Sequence, residues 1–274
     1  MIYDVIEYAE QNVKAGLFFF ADFEKAFDSL NHKFIFKTLD LFNFGSNLKK
    51  WIVLLYKNPT SCILYNGFLS DSFNIRRGVR QGCPLSPYIF ILTIELLSIA
   101  IRNNTNIKGF NIFDIEVKNS MFADDATILL DGTQNSFIEM LNMFEQFSLI
   151  SGLVLNYNKC TVLRIGSLRN QHDLIYCRKK YKNISWTSGS VKTLGIIFHS
   201  KTDHILTLNY ENRLSQFRID LQRWKARHLT TIGNISVLKS LIIPKLTFLF
   251  SVLPNPSDKD IKTITQQCYE FIWN

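Results

Sequence analysis

The sequence holds few cysteines, and none of them form the closely spaced pairs that zinc sites use. The five cysteines are scattered at positions 62, 83, 160, 177 and 268, and no C-x-x-C pair occurs. A zinc site is therefore not expected, and we predict that the thiols are reduced.

The chain also lacks the segments that direct a protein to a membrane. No N-terminal stretch combines a charged start, an apolar run and a small-residue cleavage site. The longest apolar stretch, Pro84 to Ile101, contains Glu95 and several Ser and Thr residues. We predict that it forms a buried helix rather than a membrane span, and we expect no membrane partner.

Acidic residues are scarce in one segment of an otherwise balanced chain. Between Thr161 and Thr230 there are 13 Lys or Arg and four Asp or Glu, whereas the remaining residues hold 18 and 19. The segment from Thr161 to Thr230 and the remaining residues together give the chain a net charge of +8. This distribution favours an acid-bearing body joined to an element that binds a polyanion. A basic surface that only keeps the protein soluble is the alternative.

Two acidic sites stand at the ends of apolar runs. The run Gly16 to Ala21 predicts a strand buried on both faces, and it ends on Asp22. Asp124 and Asp125 precede a β-prone run, which predicts a hairpin with the acid pair near its tip. A plain Asp-Asp turn is the alternative, because Asp favours turns.

The two acidic sites could meet only through the fold, since they lie about 100 residues apart. Two carboxylates about 4 Å apart repel by roughly 4 kcal/mol at an effective dielectric constant of about 20. A hard divalent cation removes that cost, and Mg²⁺ completes its shell with water and substrate phosphate. Paired metals can then clamp the attacking and leaving oxygens of a phosphoryl transfer, so the acids indicate nucleotidyl transfer.

A basic, glycine-containing loop lies between the acidic sites. Residues 76–87 carry Arg80, Gln81 and Gly82 and lead through two prolines into the apolar helix. Glycine allows the backbone to approach a ligand, and proline suits the first turn of a helix. The loop is therefore suited to placing a phosphate or a base, although an ordinary surface loop is the alternative.

Three further patterns follow the second acidic site. Leu153 to Leu155 predicts a strand that leads to Lys159, and residues 194–198 predict another short strand. A helix pattern at residues 209–227 places several arginines beside an apolar face, which is reasonable for binding a nucleic-acid backbone.

The order of these motifs resembles the reverse transcriptases of non-LTR (LINE-type) retrotransposons. The motifs are an acid-ended strand, the stretch Arg80 to Pro87, the Ala-Asp-Asp at 123–125, and a Ser-Gly-Leu followed by an Asn and a Lys. Group II intron maturases share the middle motifs. The region from Trp224 to Lys245 favours the LINE-type branch.

The resemblance implies an α+β fold, a right-hand polymerase in which an antiparallel sheet with helices forms the palm. Residues 1–200 would be the palm, with part of the fingers and palm at 46–80, and residues 201–274 a mostly helical thumb. Most of the fingers and an endonuclease would lie in other parts of a full-length element, so the chain is expected to be truncated at both ends.

The resemblance also assigns roles to individual residues. Asp22 and Asp124 would bind two Mg²⁺ ions, with Mn²⁺ as a substitute, and Asp125 would complete the catalytic and metal-binding triad. The substrate-binding residues would be Phe23, Phe27, Arg80, Gln81, Gly82 and Lys159. Phe27 would lie under the sugar and exclude a 2′-OH, and Lys159 would face the triphosphate. The strand with Leu194 and Gly195 would grip the primer end.

The implied activity is RNA-directed DNA polymerisation, in which a primer 3′-OH is extended with dNTPs. The expected partners are an RNA template, a DNA primer and dNTPs, and the expected location is intracellular, in the cytoplasm, the nucleus or both. Two alternatives remain open at this point. The chain could be a catalytically silent remnant that only binds nucleic acid, or a protein similar to group II intron maturases.

Overall fold

The structure, a computed structural model, describes residues 1–171, 175–176 and 181–273. It divides into two compact units. The first is Lys14–Ser188, which we call the sheet unit. The second consists of Met1–Val13 and Gly189–Asn274, and we call it the helical unit. The predicted boundary between palm and thumb at residue 200 is a functional division, and it stays a prediction. Cys177 lies outside the described residues.

The described residues form helices and strands throughout. The helices are α1 (Ile2–Gln11), α2 (Ala26–Ser29), α3 (His32–Leu41), α4 (Ser46–Leu55), α5 (Ser86–Asn103), α6 (Gln134–Ser151), α7 (Thr202–Lys225), α8 (Thr231–Val237), α9 (Ile243–Val252) and α10 (Asp258–Trp273). The strands are β1 (Gly16–Ala21), β2 (Thr60–Ser61), β3 (Leu64–Tyr65), β4 (Phe68–Leu69), β5 (Phe73–Asn74), β6 (Phe110–Ile112), β7 (Ile115–Val117), β8 (Asn119–Phe122), β9 (Asp125–Leu130), β10 (Thr161–Ile165), β11 (Ser185–Thr187), β12 (Ser190–Thr193) and β13 (Ile196–His199). A 3₁₀ helix covers Gly166–Asn170, and a π-helical turn covers Leu238–Ile242.

The centre of the sheet unit is a five-stranded sheet in the order β11-β10-β1-β9-β8. Strand β1 pairs antiparallel with β9 and β10, and only the β10–β11 pair is parallel. All six residues of β1 are buried, as the apolar run predicts. Phe19 makes edge-on contacts with Phe137 and Phe144 of α6, with ring centroids 6.1 and 6.0 Å apart. The strand that ends at Asp22 is thus held on both edges.

Helix α5 is the buried helix that the long apolar stretch predicts. Eight of its 18 residues are buried, and a proline occupies its first turn. By length and composition alone, α5 and the stretch Thr231–Val252 could each cross a membrane. That is weak support for a span, because the core helices of soluble proteins meet the same criteria.

The helical unit combines a hairpin with five helices. Among the described residues, strands β12 and β13 pair with each other in a two-stranded sheet. Helices α7–α10 enclose their own apolar cluster around Phe217, Leu238 and Phe271. The helical stretch Thr231–Val252 consists of α8, the π-helical turn and α9. Proline lies in the first turn of α9, where its missing N–H costs little.

The predicted strand at 153–155 is wrong, and the predicted strand at 194–198 is confirmed only from Ile196, where β13 begins. Leu153 to Leu155 is not a strand, because only Leu155 forms an isolated bridge, with Phe23. Leu194 and Gly195 form the two-residue turn between β12 and β13 and do not belong to a strand. A short apolar run resembles a strand in sequence whether it forms a ladder or only packs beside one.

Candidate active site

The register of the sheet places Asp22 beside the acid pair. Ala21, the last residue of β1, pairs with Ala126 of β9. Asp22 follows Ala21, and Asp125 precedes Ala126 at the start of the neighbouring strand. Two acids 103 positions apart in the sequence are therefore adjacent across the sheet, although no spacing rule connects them.

Asp124 lies in a two-residue turn that closes the β8–β9 hairpin. Phe122 pairs with Asp125, so Ala123 and Asp124 form the loop. Ala123 has a φ of +52°, a left-handed conformation that costs a residue with a Cβ of order 1 kcal/mol or more. The predicted hairpin with the acids at its tip is confirmed. Backbone strain of this kind often accompanies functional sites.

The three carboxylates lie close enough to influence each other. Burial raises the pKa of Asp125 most, and the negative charges of Asp124 and Asp22 raise that pKa further. Asp22 Oδ1 is buried and has no hydrogen-bond partner among the described residues. An unpaired buried carboxylate oxygen beside two other acids is costly without a cation.

Lys159 supplies one positive charge at this site. Its Nζ lies 3.9 Å from Asp22 Oδ1, and its side chain is 67% exposed. The backbone explains this placement, because the N–H of Asn156 donates to the carbonyl of Asp22 and the N–H of Lys159 donates to the carbonyl of Asn156. At this distance and exposure the pair is weak, so the ammonium group stays available to an anion.

Of the two phenylalanines that follow Asp22, one belongs to the core and one borders it. Phe23 is 7% exposed and packs on Phe144 at 6.0 Å. Its side chain therefore faces the core, and it could touch a substrate only through its backbone. Phe27 stacks on Phe90 of α5 at 4.7 Å and stays partly exposed, which leaves part of its ring available to a sugar.

The loop with Arg80, Gln81 and Gly82 is anchored beside Phe27. The N–H of Val79 donates to the carbonyl of Phe27 at 2.6 Å. Gly78 has a φ of +89°, and a Cβ there would lie 2.7 Å from the carbonyl oxygen of Asp28. Sequence reasoning placed Gly78 in this loop but missed that only glycine fits the contact.

The three predicted substrate residues of the loop are on its surface. Arg80, Gln81 and Gly82 are all exposed, and Gly82 has open space around its α-carbon. The Arg80 guanidinium donates to the carbonyl of Thr60 at 2.9 Å. Gln81 and Gly82 therefore offer an amide side chain and free backbone to a ligand, while Arg80 also braces β2.

The predicted primer-grip residues form a strained turn in the helical unit. Leu194 and Gly195 both have positive φ angles, +49° and +81°, which is the conformation of a type I′ hairpin turn. Leu194 is 43% exposed at the tip. A depression of about 270 Å³ beside the turn is lined by Lys192, Gly195 and Arg213 among others. The turn thus presents an exposed apolar side chain next to positive charge.

The carboxylates of Asp22, Asp124 and Asp125 could bind a divalent cation, although they are not arranged as a complete metal site. Within residues 1–171, 175–176 and 181–273, no three His, Cys, Asp or Glu side chains are arranged as a ready metal site. Mg²⁺ usually takes one or two protein carboxylates and completes its shell with water and phosphate. The unpaired Asp22 Oδ1 and the mutual repulsion at Asp125 fit that requirement.

Comparison with known proteins decides the family. Residues 2–198 match the family described as reverse transcriptase (RNA-dependent DNA polymerase). The chain belongs to the reverse transcriptase family. Members of this family generally use divalent metal ions. Asp22, the 76–87 loop, the Ala123–Asp125 stretch and Lys159 all fall within the matched residues.

Relatives of this reverse transcriptase are encoded by transposable elements. One is the Transposon TX1 uncharacterized 149 kDa protein of Xenopus laevis, 26% identical over all of this chain and 20% of that protein. Another is the Pol polyprotein of the type-2 retrotransposable element R2DM of Drosophila melanogaster, 28% identical over 82% of this chain and 21% of that protein. The chain thus spans about a fifth of their length. The predicted relation to non-LTR retrotransposons is confirmed.

Solved structures show the fold of this reverse transcriptase. Apo telomerase from Candida tropicalis matches with a TM-score of 0.53 and 10% identity, over 99% of this chain and 50% of that one. A C-terminally truncated form matches with a TM-score of 0.50 and 12% identity, over 73% of this chain and 38% of that one. The predicted α+β polymerase fold is confirmed.

Proposed function

We propose that the chain is the RNA-directed DNA polymerase domain of a retroelement and extends a primer 3′-OH with dNTPs. In this reaction the primer 3′-oxygen bonds to the α-phosphorus of the dNTP, and the bond from that phosphorus to the bridging oxygen breaks and releases pyrophosphate. The observation that carries the proposal is the meeting of Asp22, with its unpaired buried Oδ1, and the Asp124–Asp125 turn.

Three carboxylates would hold the divalent cations. Asp22 and Asp124 would be the ligands for two Mg²⁺ ions, with Mn²⁺ as a substitute, and Asp125 would support them. Ions bound there would supply Lewis-acid stabilisation of the reacting oxygens and phosphates. The chain itself would hold these carboxylates in place through the paired edges of β1.

Other residues would position the substrates. Partly exposed Phe27 would lie under the deoxyribose, where a 2′-OH would collide with its ring. Gln81 and Gly82 would line the nucleotide and the template, and Arg80 would brace their loop. Lys159 would contribute its charge to the triphosphate, because its ion pair with Asp22 is long and exposed.

The helical unit would contact the primer. Leu194 and Gly195 would support the primer 3′ end, and Lys192 and Arg213 beside them favour a phosphate backbone. Residues 1–200 and 201–274 would then act as palm and thumb, with an RNA template and a DNA primer as partners, in an intracellular location.

The test is Mg²⁺-dependent dNTP incorporation on a primed RNA template, with Asp124→Asn compared with Asp114→Asn. The control is closely matched, because Asp114 also occupies the second position of a two-residue hairpin turn whose first residue, Phe113, has a positive φ. We expect incorporation by the wild type and by Asp114→Asn, and a loss of at least about a thousandfold in Asp124→Asn.

Two results would count against the proposal. If Asp124→Asn retains wild-type incorporation, the acidic turn does not carry the reaction. If the wild type binds an RNA–DNA hybrid in a salt-dependent manner but never incorporates a nucleotide, the chain is a silent binding protein.

A further inference from the structure

The β12–β13 hairpin needs support from outside its own strands. It contains two strands of four residues, and in the part of the chain that the structure describes these strands pair with each other in a two-stranded sheet. Isolated two-stranded hairpins are marginally stable in water. Its turn also places Leu194 at a φ of +49°, which adds strain. A turn that must present a fixed surface to a ligand therefore requires another element to hold it.

One side chain of helix α7 contributes hydrogen bonds to that support. Asn209 is 6% exposed. Its Oδ1 accepts a hydrogen bond from the N–H of Ile197 at 2.9 Å, and its Nδ2 donates to the carbonyl of Ile197 at 2.7 Å. The same Nδ2 donates to the carbonyl of Ile205 in its own helix at 2.7 Å. The Asn209 amide thus forms hydrogen bonds with the N–H and the carbonyl of Ile197 in β13, and with the carbonyl of Ile205 in its own helix.

The geometry of the hairpin explains why Asn209 forms its hydrogen bonds with Ile197. Thr193 and Ile196 flank the two-residue turn, and Lys192 pairs with Ile197. In an antiparallel ladder, pairs that exchange hydrogen bonds alternate with pairs that direct their N–H and C=O groups outward. Asn209 meets the outward-facing groups of Ile197 as the backbone of another strand would, two residues from Gly195.

Asparagine is the side chain that suits this position. It offers one donor group and one acceptor on a short stem, and the two Ile197 contacts use both. Aspartate would set a carboxylate oxygen against the Ile197 carbonyl. Alanine would leave the buried N–H and C=O of Ile197 without these partners, which is costly.

We propose that Asn209 is a positioning residue that holds the Leu194–Gly195 turn in register for the primer 3′ end. This inference rests on the proposed function, since it assumes that the turn supports a primer. Asn209 is buried and its amide is engaged by Ile197 and Ile205, so its role would be indirect. It would act by fixing Ile197, and through it the turn.

The test compares Asn209→Ala with Thr207→Ala. Thr207 is exposed on the same helix, and its hydroxyl donates only within that helix, to the carbonyl of Asp203. Amide hydrogen exchange over residues 189–200 measures whether the hairpin loosens. Primer extension from a paired 3′ end and from a mismatched 3′ end measures whether the end is misplaced. The ratio of the two rates does not depend on the fraction of folded protein.

We expect faster exchange at Ile197 in Asn209→Ala, and a change of about tenfold to a hundredfold in the paired-to-mismatched ratio, because small misplacements of reacting groups have effects of this size. Thr207→Ala should match the wild type in both measurements. Unchanged exchange at Ile197 would overturn the inference, and so would faster exchange with an unchanged ratio. Absence of extension by the wild type would instead refute the proposed function, and the inference would fall with it.

Discussion

The sheet unit and the helical unit hold their candidate functional turns in different ways. The Ala123–Asp124 turn closes two strands of a five-stranded sheet, and β9 is also paired along β1. The Leu194–Gly195 turn closes a two-stranded hairpin to which Asn209 of α7 forms two hydrogen bonds. In the sheet unit the turn is held by backbone hydrogen bonds of three neighbouring strands, whereas in the helical unit a side chain of α7 adds two hydrogen bonds to a two-stranded hairpin.

We therefore expect substitutions of the acids in the sheet unit to affect activity more than stability. In the helical unit, a substitution of Asn209 should affect both. In the sheet unit, Asp22 Oδ1 has no hydrogen-bond partner among the described residues, so we expect this oxygen to contribute little to holding the sheet. In the helical unit, Asn209 would contribute to stability as well as to function, because its hydrogen bonds stabilise the hairpin that contains the Leu194–Gly195 turn. Three substitutions test this contrast.

The largest effect is expected at Asp22. Asp22→Asn should reduce nucleotide incorporation by at least about a thousandfold, or about 4 kcal/mol in activation free energy. Its melting temperature should stay near that of the wild type, because the substitution breaks no hydrogen bond of Oδ1 and only a weak pair with Lys159. Calorimetry with a single-turnover assay checks both values. A large drop in melting temperature would show that the acid is structural and would remove the contrast.

An intermediate effect is expected in the core of the helical unit. Asp220 is 8% exposed, and Lys245 Nζ lies 2.7 Å from its Oδ2. The hydrogen bond from Lys245 lowers the pKa of Asp220, with help from Gln216. Lys245→Met would remove the cation that contacts this carboxylate and should lower the free energy of unfolding at pH 7 by about 1–3 kcal/mol.

The pH dependence of this effect has a definite sign. A lowered carboxyl pKa stabilises the fold above the ordinary Asp pKa, and this stabilisation is lost as the pH falls through the lower folded value. The difference between wild type and Lys245→Met should therefore shrink in acid. Urea denaturation from pH 7 down to pH 3 measures it, and a difference that stays constant would contradict the assigned cause.

The smallest effect is expected at the strained turn. Asn tolerates a positive φ better than Leu, so Leu194→Asn should raise the free energy of unfolding by up to about 1 kcal/mol. If the Leu194 side chain supports the primer end, the same variant should extend primers more slowly despite its greater stability. A variant that is more stable and equally active would mean that the leucine has no functional role.

Much of the sheet unit could be predicted from local patterns. The run Phe18 to Phe20 is apolar on both faces, and only a strand covered on both sides accommodates it. Helix α5 followed from a similarly direct feature, the apolar stretch Pro84 to Ile101. The proximity of Asp22 to Asp125 could not be derived this way, because it depends on the Ala21–Ala126 register, which no local property reports. The family resemblance supplied that step.

The helical unit was less predictable. The run at 194–198 is apolar enough for a strand, yet its first two residues form the turn between β12 and β13. Gly195 was the one feature of this run that favoured a turn. Asn209 was read as the start of a helix pattern, whereas the helix begins at Thr202 and the residue points to a hairpin. A lone asparagine on a helix gives no indication of a partner 12 positions earlier in the chain.

The pairing of β1 has a consequence for how the chain folds. Gly16 pairs with Ile165, which is 149 positions later, and Leu17 pairs with Leu130. Contacts between such distant positions form slowly, because a long loop must close before they contribute. During synthesis, β1 would emerge long before either partner and would expose an apolar strand with two open edges. The candidate catalytic carboxylates would therefore come together late, and one edge of β1 would stay without its β10 partner until about residue 165 has been added.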